Sequence, residues 1–316
     1  MQPNSKSIIF SKYPVSIWVV LVSWLLINAC TQETTSPQNV AVTSVAANAD
    51  STVTTKRLTI QLPGLAEDAT KLKMVLIPSG TFKMGSATNE PGRNAKYEWP
   101  LHEVTIAKPF YLAQYEVTQA QWEAVMGKDS HHSKFKDRPN HPVEKVSWLD
   151  CQRFINKLNE LGQGTFRLPT EAEWEYACRA GTQTPFSFGA IADSVYSESA
   201  FEEIANNYLW WRGNNNPPGT KAVGLKLPNP WGLYDMHGNV NEWCADKWKP
   251  PTQRGAYTDT SRPFSNWEFL LVLRNRVNRG GDFMSAARSC CSAARYYEQS
   301  IDYHYRIGFR IAREYP

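Results

Sequence analysis

The chain has 316 residues, 42% hydrophobic and 20% charged, which are the proportions of a globular protein rather than a disordered or fibrous one. Its formal charge of +4 falls to +2 once Lys6 and Lys12 are set aside, since no acid precedes residue 30, and the absence of a clustered basic run argues against a nucleic-acid binder. Twelve Trp, fourteen Tyr and thirteen Phe suit a core held by large side chains, and equally a surface that binds carbohydrate or protein.

Residues 1–29 read as an export signal. Lys6 and Lys12 form a basic start, and Val15 to Ile27 is an apolar run of 13 residues, right for a signal core and short for a membrane span. The run closes on Leu26-Ile27-Asn28-Ala29-Cys30, which resembles a lipobox. It predicts lipidation of Cys30 and an exported, membrane-anchored protein, each buried acyl CH₂ contributing ~0.8 kcal/mol. The alternative is an ordinary signal or an uncleaved anchor. Thr31, rather than Asp, predicts retention at the outer membrane if the host is Gram-negative. Residues 30–57, rich in Thr, Ser, Ala and Asn, cannot bury enough to order themselves and read as a flexible tether. Residues 58–316 read as a single domain.

Within it, Met74–Pro78 followed by SGTFKMGS predicts a hairpin, and EVTI and FYLAQY between His102 and Tyr115 predict strands. Thr118 is placed to cap a short helix that Gly127 stops. Ser147 and Asp150 form a capping-box-like start for a second helix, with Cys151, Phe154, Ile155 and Leu158 on its inner face and Gly162 at its end. Thr170 and Glu173 form a capping box for a third, with Trp174, Ala177 and Cys178 inward and Gly181 at its end. After Gly181 regular structure is expected to be scarce, until IGFRIAR (307–313) reads as a closing strand with Arg310 or Arg313 available for a carboxylate. The expected class is α+β, with two main helices, short strands and much ordered loop.

Asn229 to Asp246, NPWGLYDMHGNVNEWCAD, is the segment around which the rest is organised. Trp231, Tyr234 and Trp243 are aromatic anchors, Gly232 and Gly238 mark sharp backbone turns, and Asp235, Glu242 and Asp246 are carboxylates. It reads as a buried, irregular loop whose oxygens could hold a hard cation. GLYDMHGNVNEW closely resembles the signature of the formylglycine-generating enzyme family, the sulfatase-modifying factors. MVLIPSGTFKMGS (74–86), PFYLAQYEVTQAQWEAVMG (109–127), PVEKVSWLDC (142–151), FRLPTEAEWEYACRAG (166–181), RGGDF (279–283) and IGFRIAR agree in order. The resemblance covers about 70–316 and implies a C-type-lectin-like fold. Asn241 stands where the family usually has Trp.

The resemblance also implies a chemistry. Oxidising members hold monovalent copper on two cysteines shortly after the RGG motif and convert a substrate cysteine into formylglycine, copper being suited to soft thiolates. Here the second position falls on Cys290 and the first on Ser285, while Asp282 replaces the family's serine. A hydroxyl is a poor substitute for a thiolate, so copper is doubtful. Cys291 could supply the missing ligand only if adjacent side chains shared a face, which strands forbid. The thiols could instead be structural, with a disulfide from Cys178 to Cys290 or Cys291, or Cys290 could be buried and free. The family's structural calcium maps onto Asn239 and Glu242. Among the histidines, His131 and His132 lie in a polar loop and are expected to be solvated. Asp282 to Tyr305, rich in Tyr, Ser and Ala, has the composition of an adaptable binding surface. Three functions remain: a modifying oxidase of the cell envelope acting on a protein or peptide substrate, a relative with other oxygen chemistry, or a non-catalytic ligand-binding or assembly protein.

Overall fold

The strongest local signals in the chain are its helix starts, and each is realised. Thr118, Ser147 and Thr170 are N-caps of α1 (Gln119–Met126), α2 (Trp148–Glu160) and α3 (Glu171–Arg179), each with a reciprocal capping box closed by Gln121, Asp150 and Glu173. Such a box satisfies two orphan backbone donors at once. The computed structural model describes residues 56–316 apart from 91–93, 95, 99, 190–197, 251–256 and 260–273. The expected signal peptide, Cys30 and all but the last two residues of the tether lie outside the described residues. No helix among those described is long and apolar enough to cross a membrane.

Among the described residues, three short sheets carry the domain. β1 (Arg57–Ile60), β2 (Leu72–Ile77), β5 (Phe110–Ala113), β12 (Ala312–Glu314) and β6 (Phe166–Arg167) form one, in that order. β10 (Arg295–Gln299), β9 (Asn275–Arg279), β7 (Asn241–Lys247) and β11 (Ile307–Gly308) form the second. β3 (Gly80–Met84), β4 (His102–Ile106) and β8 (Tyr257–Asp259) form the third. The hairpin expected over 74–86 is therefore not a hairpin. β2 pairs with β1 and β5, while β3 pairs with β4, so Pro78-Ser79 is a passage between two sheets. IGFRIAR likewise divides into β11 and the start of β12, which serve different sheets. A further helix, α4 (Glu198–Ala205), lies in the stretch expected to be irregular.

The NPWGLYDMHGNVNEWCAD segment is irregular over its first two thirds and strand over its last third, since β7 begins at Asn241. Gly238, at φ 83°, turns the chain tightly against Trp210: a Cβ there would lie 2.2 Å from the Trp210 carbonyl oxygen. Three fully buried indoles tie the helices to β7. Trp148 Nε1 donates to the Cys244 carbonyl at 2.9 Å, Trp243 Nε1 to the Val146 carbonyl at 3.0 Å, and Trp174 Nε1 to the Glu242 carboxylate at 2.7 Å. α2 buries Trp148, Cys151, Phe154, Ile155 and Leu158, the face expected from its spacing. Phe154 stacks on Trp122 of α1 and meets the edge of Phe309. Truncating any such aromatic costs ~3–5 kcal/mol.

Candidate functional site

Two buried polar centres flank β7. In the first, Glu242 accepts two hydrogen bonds from Arg310, at 2.6 Å from Nε and 2.7 Å from a terminal nitrogen, beside the bond from Trp174. Of the two C-terminal arginines, Arg310 takes the carboxylate, while Arg313 donates to the Gln163 carbonyl. Glu116 and Asp235 are buried close by. Glu116 accepts from Asn239 Nδ2 at 2.7 Å and from the Val240 N–H at 3.2 Å, and Asp235 accepts from the Gly224 N–H at 2.7 Å. Burial, with the like charges of Asp235 and Glu242, raises the Glu116 carboxyl well above its usual range. Burial likewise raises Asp235 to about 6.

Both residues expected to hold calcium are engaged with protein partners. The Glu242 charge is matched by a bidentate guanidinium, and Asn239 Oδ1 accepts from the Lys221 N–H at 3.0 Å. Among the described residues no group of three or more His, Cys, Asp or Glu is arranged around a metal position.

The second centre is the turn after β9. Asn241, at the start of β7, reaches it with both amide atoms: Oδ1 accepts from the Gly281 N–H at 3.1 Å, and Nδ2 donates to Asp282 Oδ2 at 2.8 Å. The two departures from the family's pattern, Asn241 and Asp282, are thus partners. Asp282 is 2% exposed. Its other oxygen accepts from the Met284 N–H at 2.8 Å, its N–H donates to Ser285 Oγ at 3.2 Å, and Arg306 stands 3.6 Å from Oδ2. Burial raises the Asp282 carboxyl above its usual range, against the pull of these partners.

Cys290 is fully buried. Its thiol contacts the Ala286 carbonyl at 3.7 Å and lies so close to Gly281 that a Cβ there would sit 2.6 Å from the sulfur. Burial, reinforced by Asp282, pushes the thiol far above its ordinary value. A thiolate is what a soft metal needs. Ser285 and Cys290 therefore do not provide the two-thiolate set that copper would require.

Neither expected disulfide is formed: Cys151, Cys178, Cys244, Cys290 and Cys291 are all unpaired and buried. The sulfurs face different neighbours. Cys178 Sγ lies 3.5 Å from Ser292 Oγ and 3.7 Å from His237 Nε2, whereas Cys291 Sγ lies 3.9 Å from Glu98 Oε1. His237 was not singled out by its sequence context. Its Nδ1 bonds the Cys290 carbonyl at 2.8 Å and its Nε2 the Ser187 hydroxyl at 3.0 Å, and burial lowers it to about 4. It is a neutral, positioning imidazole under the 290–291 turn. The histidine loop is only half as expected: His132 is exposed, but His131 is buried with Nε2 at 3.4 Å from Glu123.

Around Asp282 and Arg306 lies a cluster of half-buried aromatics and basic groups over the buried Phe283. Phe135 meets Phe283 edge-on at 5.5 Å, His304 stacks on Tyr305 at 4.4 Å, and Lys134 Nζ lies 4.0 Å from the Tyr305 ring centre. Met284, Ile301 and Tyr303 are exposed. The Asp282–Tyr305 segment is thus a buried turn, a single 3-10 turn (Ala287–Cys290) and β10, with a half-buried aromatic rim that Tyr303 carries to the surface. Arg306, which completes this rim, carries no local sequence signal that would have marked it, and the neighbouring 131–136 loop is marked in the sequence only by His131 and His132.

A match to the sulfatase-modifying factor enzyme 1-like domain spans residues 61–315. A formylglycine-generating enzyme of Thermomonospora curvata is 30% identical over 288 residues, 69% of this chain and 88% of its own length. Chaperone protein LppX of Paenibacillus barcinonensis is 29% identical over 256 residues, 68% of this chain and 80% of its own. Among solved structures, PvdO from Pseudomonas aeruginosa superposes with a TM-score of 0.63 at 29% identity, covering 81% of this chain and all of that one. Treponema denticola variable protein 1 superposes with a TM-score of 0.62 at 24% identity, covering 82% and 99%; at that identity the likeness speaks for the fold alone.

Proposed function

The chain belongs to the sulfatase-modifying factor family, with its formylglycine-generating-enzyme-like, C-type-lectin-like domain, and on that premise we propose that it is an envelope lipoprotein which binds or assembles a partner protein at the Asn241–Asp282 face rather than oxidising cysteine through copper. The observation that carries the reading is the state of the copper positions. One is the hydroxyl of Ser285, engaged with the backbone of Asp282. The other is a thiol sealed against Gly281 and held protonated by burial. Asn241 and Asp282 fill the adjoining space with a hydrogen-bonded pair, leaving Arg306 and the aromatic rim as the accessible chemistry. The likeness to a protein named a chaperone accords with an assembly role.

The test is direct. The full chain, titrated with monovalent copper under reducing conditions, is expected to show no tight site, and a cysteine peptide of the family's CxPxR type is expected to come back unchanged in mass. Formylglycine formed by the unaltered protein and lost in Cys290→Ala would restore the oxidase reading. Anchoring is tested separately. Cys30→Ala and globomycin are each expected to block processing and shift electrophoretic mobility. Unchanged mobility and unchanged extraction would remove the lipid anchor from the proposal.

A further inference from the structure

Beside the Asp282 face lies a cavity of about 530 Å³ lined by His132, Ser133, Lys136, Lys145, Asp150 and Tyr303. Its charge is unbalanced. Asp150 is already matched, by Arg153 at 2.6 Å and by the Ser147 N–H at 3.0 Å. Lys136 and Lys145 have no carboxylate within ion-pair distance among the described residues.

Lys145 is the informative residue. Its backbone is left-handed, at φ 60°, and its N–H is held by the carbonyls of His304 and Ile307, both at 3.2 Å. A residue with a Cβ is strained in that region and glycine is not. Lysine is accommodated there at some backbone cost, as Asp129, Asp137, Ala180, Asp235 and Asn239 are at their own left-handed positions. The Lys145 side chain lines the cavity with Nζ 5.9 Å from the Tyr303 ring centre. Tyr303 is 60% exposed, so one wall offers apolar ring surface to a side-chain stem.

We propose that this cavity binds the carboxylate side chain of an acidic peptide segment. Two ammonium groups with one neutralised aspartate leave a surplus that a glutamate or aspartate matches. A phosphate dianion is favoured by the forked guanidinium of arginine, and no arginine is among the residues that line the cavity. Tyr303 leads through His304 and Tyr305 to Arg306, so a peptide seated here runs on to the Asp282 face. The inference stands on the cavity and not on the chemistry at Asp282. A formylglycine-positive result would leave it intact.

The experiment uses the detergent-solubilised full chain and a fluorescein-labelled Glu-Glu-Gly-Glu-Glu peptide, with the all-Gln counterpart as control. The Glu peptide is expected to bind about five-fold or more tighter than the Gln peptide, and to weaken as salt rises. Lys145→Gly is expected to lose about five-fold in affinity with a melting temperature unchanged or raised, since glycine relieves the backbone. A merely structural lysine would give the reverse pattern. Lys136→Gln, on an exposed loop, is the second variant and is expected to lose affinity without touching stability. Equal binding of the two peptides, or full affinity in both variants, would overturn the proposal. Phenyl phosphate displacing the peptide at lower concentration than acetate-bearing peptides do would also overturn it, by making the cavity a phosphate site.

Discussion

Arg310→Met is expected to cost at least ~3–5 kcal/mol, a third or more of the stability of an ordinary domain. Arg310 is fully buried and gives Glu242 two charge-assisted bonds, with further bonds to the carbonyls of Ala113 at 3.1 Å and Tyr234 at 2.9 Å. Glu116 and Asp235 face the same guanidinium. Removing it leaves three buried carboxylates around one cavity, so the loss is mainly the penalty of uncompensated charge and not the net worth of the pair. Urea unfolding measures it as a fall in midpoint at constant slope. The double variant Arg310→Met with Glu242→Gln is expected to recover part of the loss, because the charge that lost its partner is gone. A single variant within ~1 kcal/mol of the parent would mean that Arg310 does not hold these carboxylates.

What could be read from the chain, and what could not, divides along sequence separation. The starts of α1, α2 and α3 were legible because a capping box spans only three residues, as Ser147 with Asp150 and Thr170 with Glu173 demonstrate. Which strand pairs with which was not. MVLIP and GTFKM look like the arms of a hairpin, yet their partners are β5 and β4, reached through non-local pairing. The Arg310–Glu242 bond joins residues 68 apart, so periodicity could offer Arg310 or Arg313 but not choose between them. Sulfur pairing was equally invisible. Cys178, Cys290 and Cys291 lie near one turn, but their directions are fixed by Ser292, Gly281 and Glu98.

The candidate site was legible in an indirect way. Asn241 and Asp282 each stood out as a departure from the family's pattern, and the structure joins them across 41 residues of sequence. The two departures satisfy one another in a single buried hydrogen bond, so each explains the other's presence in the fold. Lys145 gave no such sign, since a left-handed backbone angle at a lysine has no signature in composition or spacing.

Asp235→Asn is expected to raise the unfolding free energy by ~2–3 kcal/mol at pH 7, at ~1.4 kcal/mol per pKa unit. Burial lifts Asp235 from 3.8 to about 6 in the folded chain. A carboxyl raised on folding contributes stability that is fully present below its unfolded value and lost as pH rises through its folded one. At pH 7 the parent therefore bears the cost of a buried charge beside Glu116 and Glu242, and the asparagine does not. Asn Oδ1 can keep the Gly224 N–H bond that Asp235 now accepts. The advantage is expected to shrink as pH falls through 6 and to vanish below about 4, where Asp235 is neutral in both states. His237 acts in the opposite sense. Its folded value of about 4 lies below 6.5, so its contribution is present above 6.5 and lost as pH falls. That term is common to both chains and cancels in the difference, which is why the parent and variant must be compared at each pH. Urea unfolding of both at pH 4, 5, 6 and 7 gives the curve. A variant less stable than the parent at pH 7, or a difference constant across the range, would show that Asp235 is not the buried charge that limits this core.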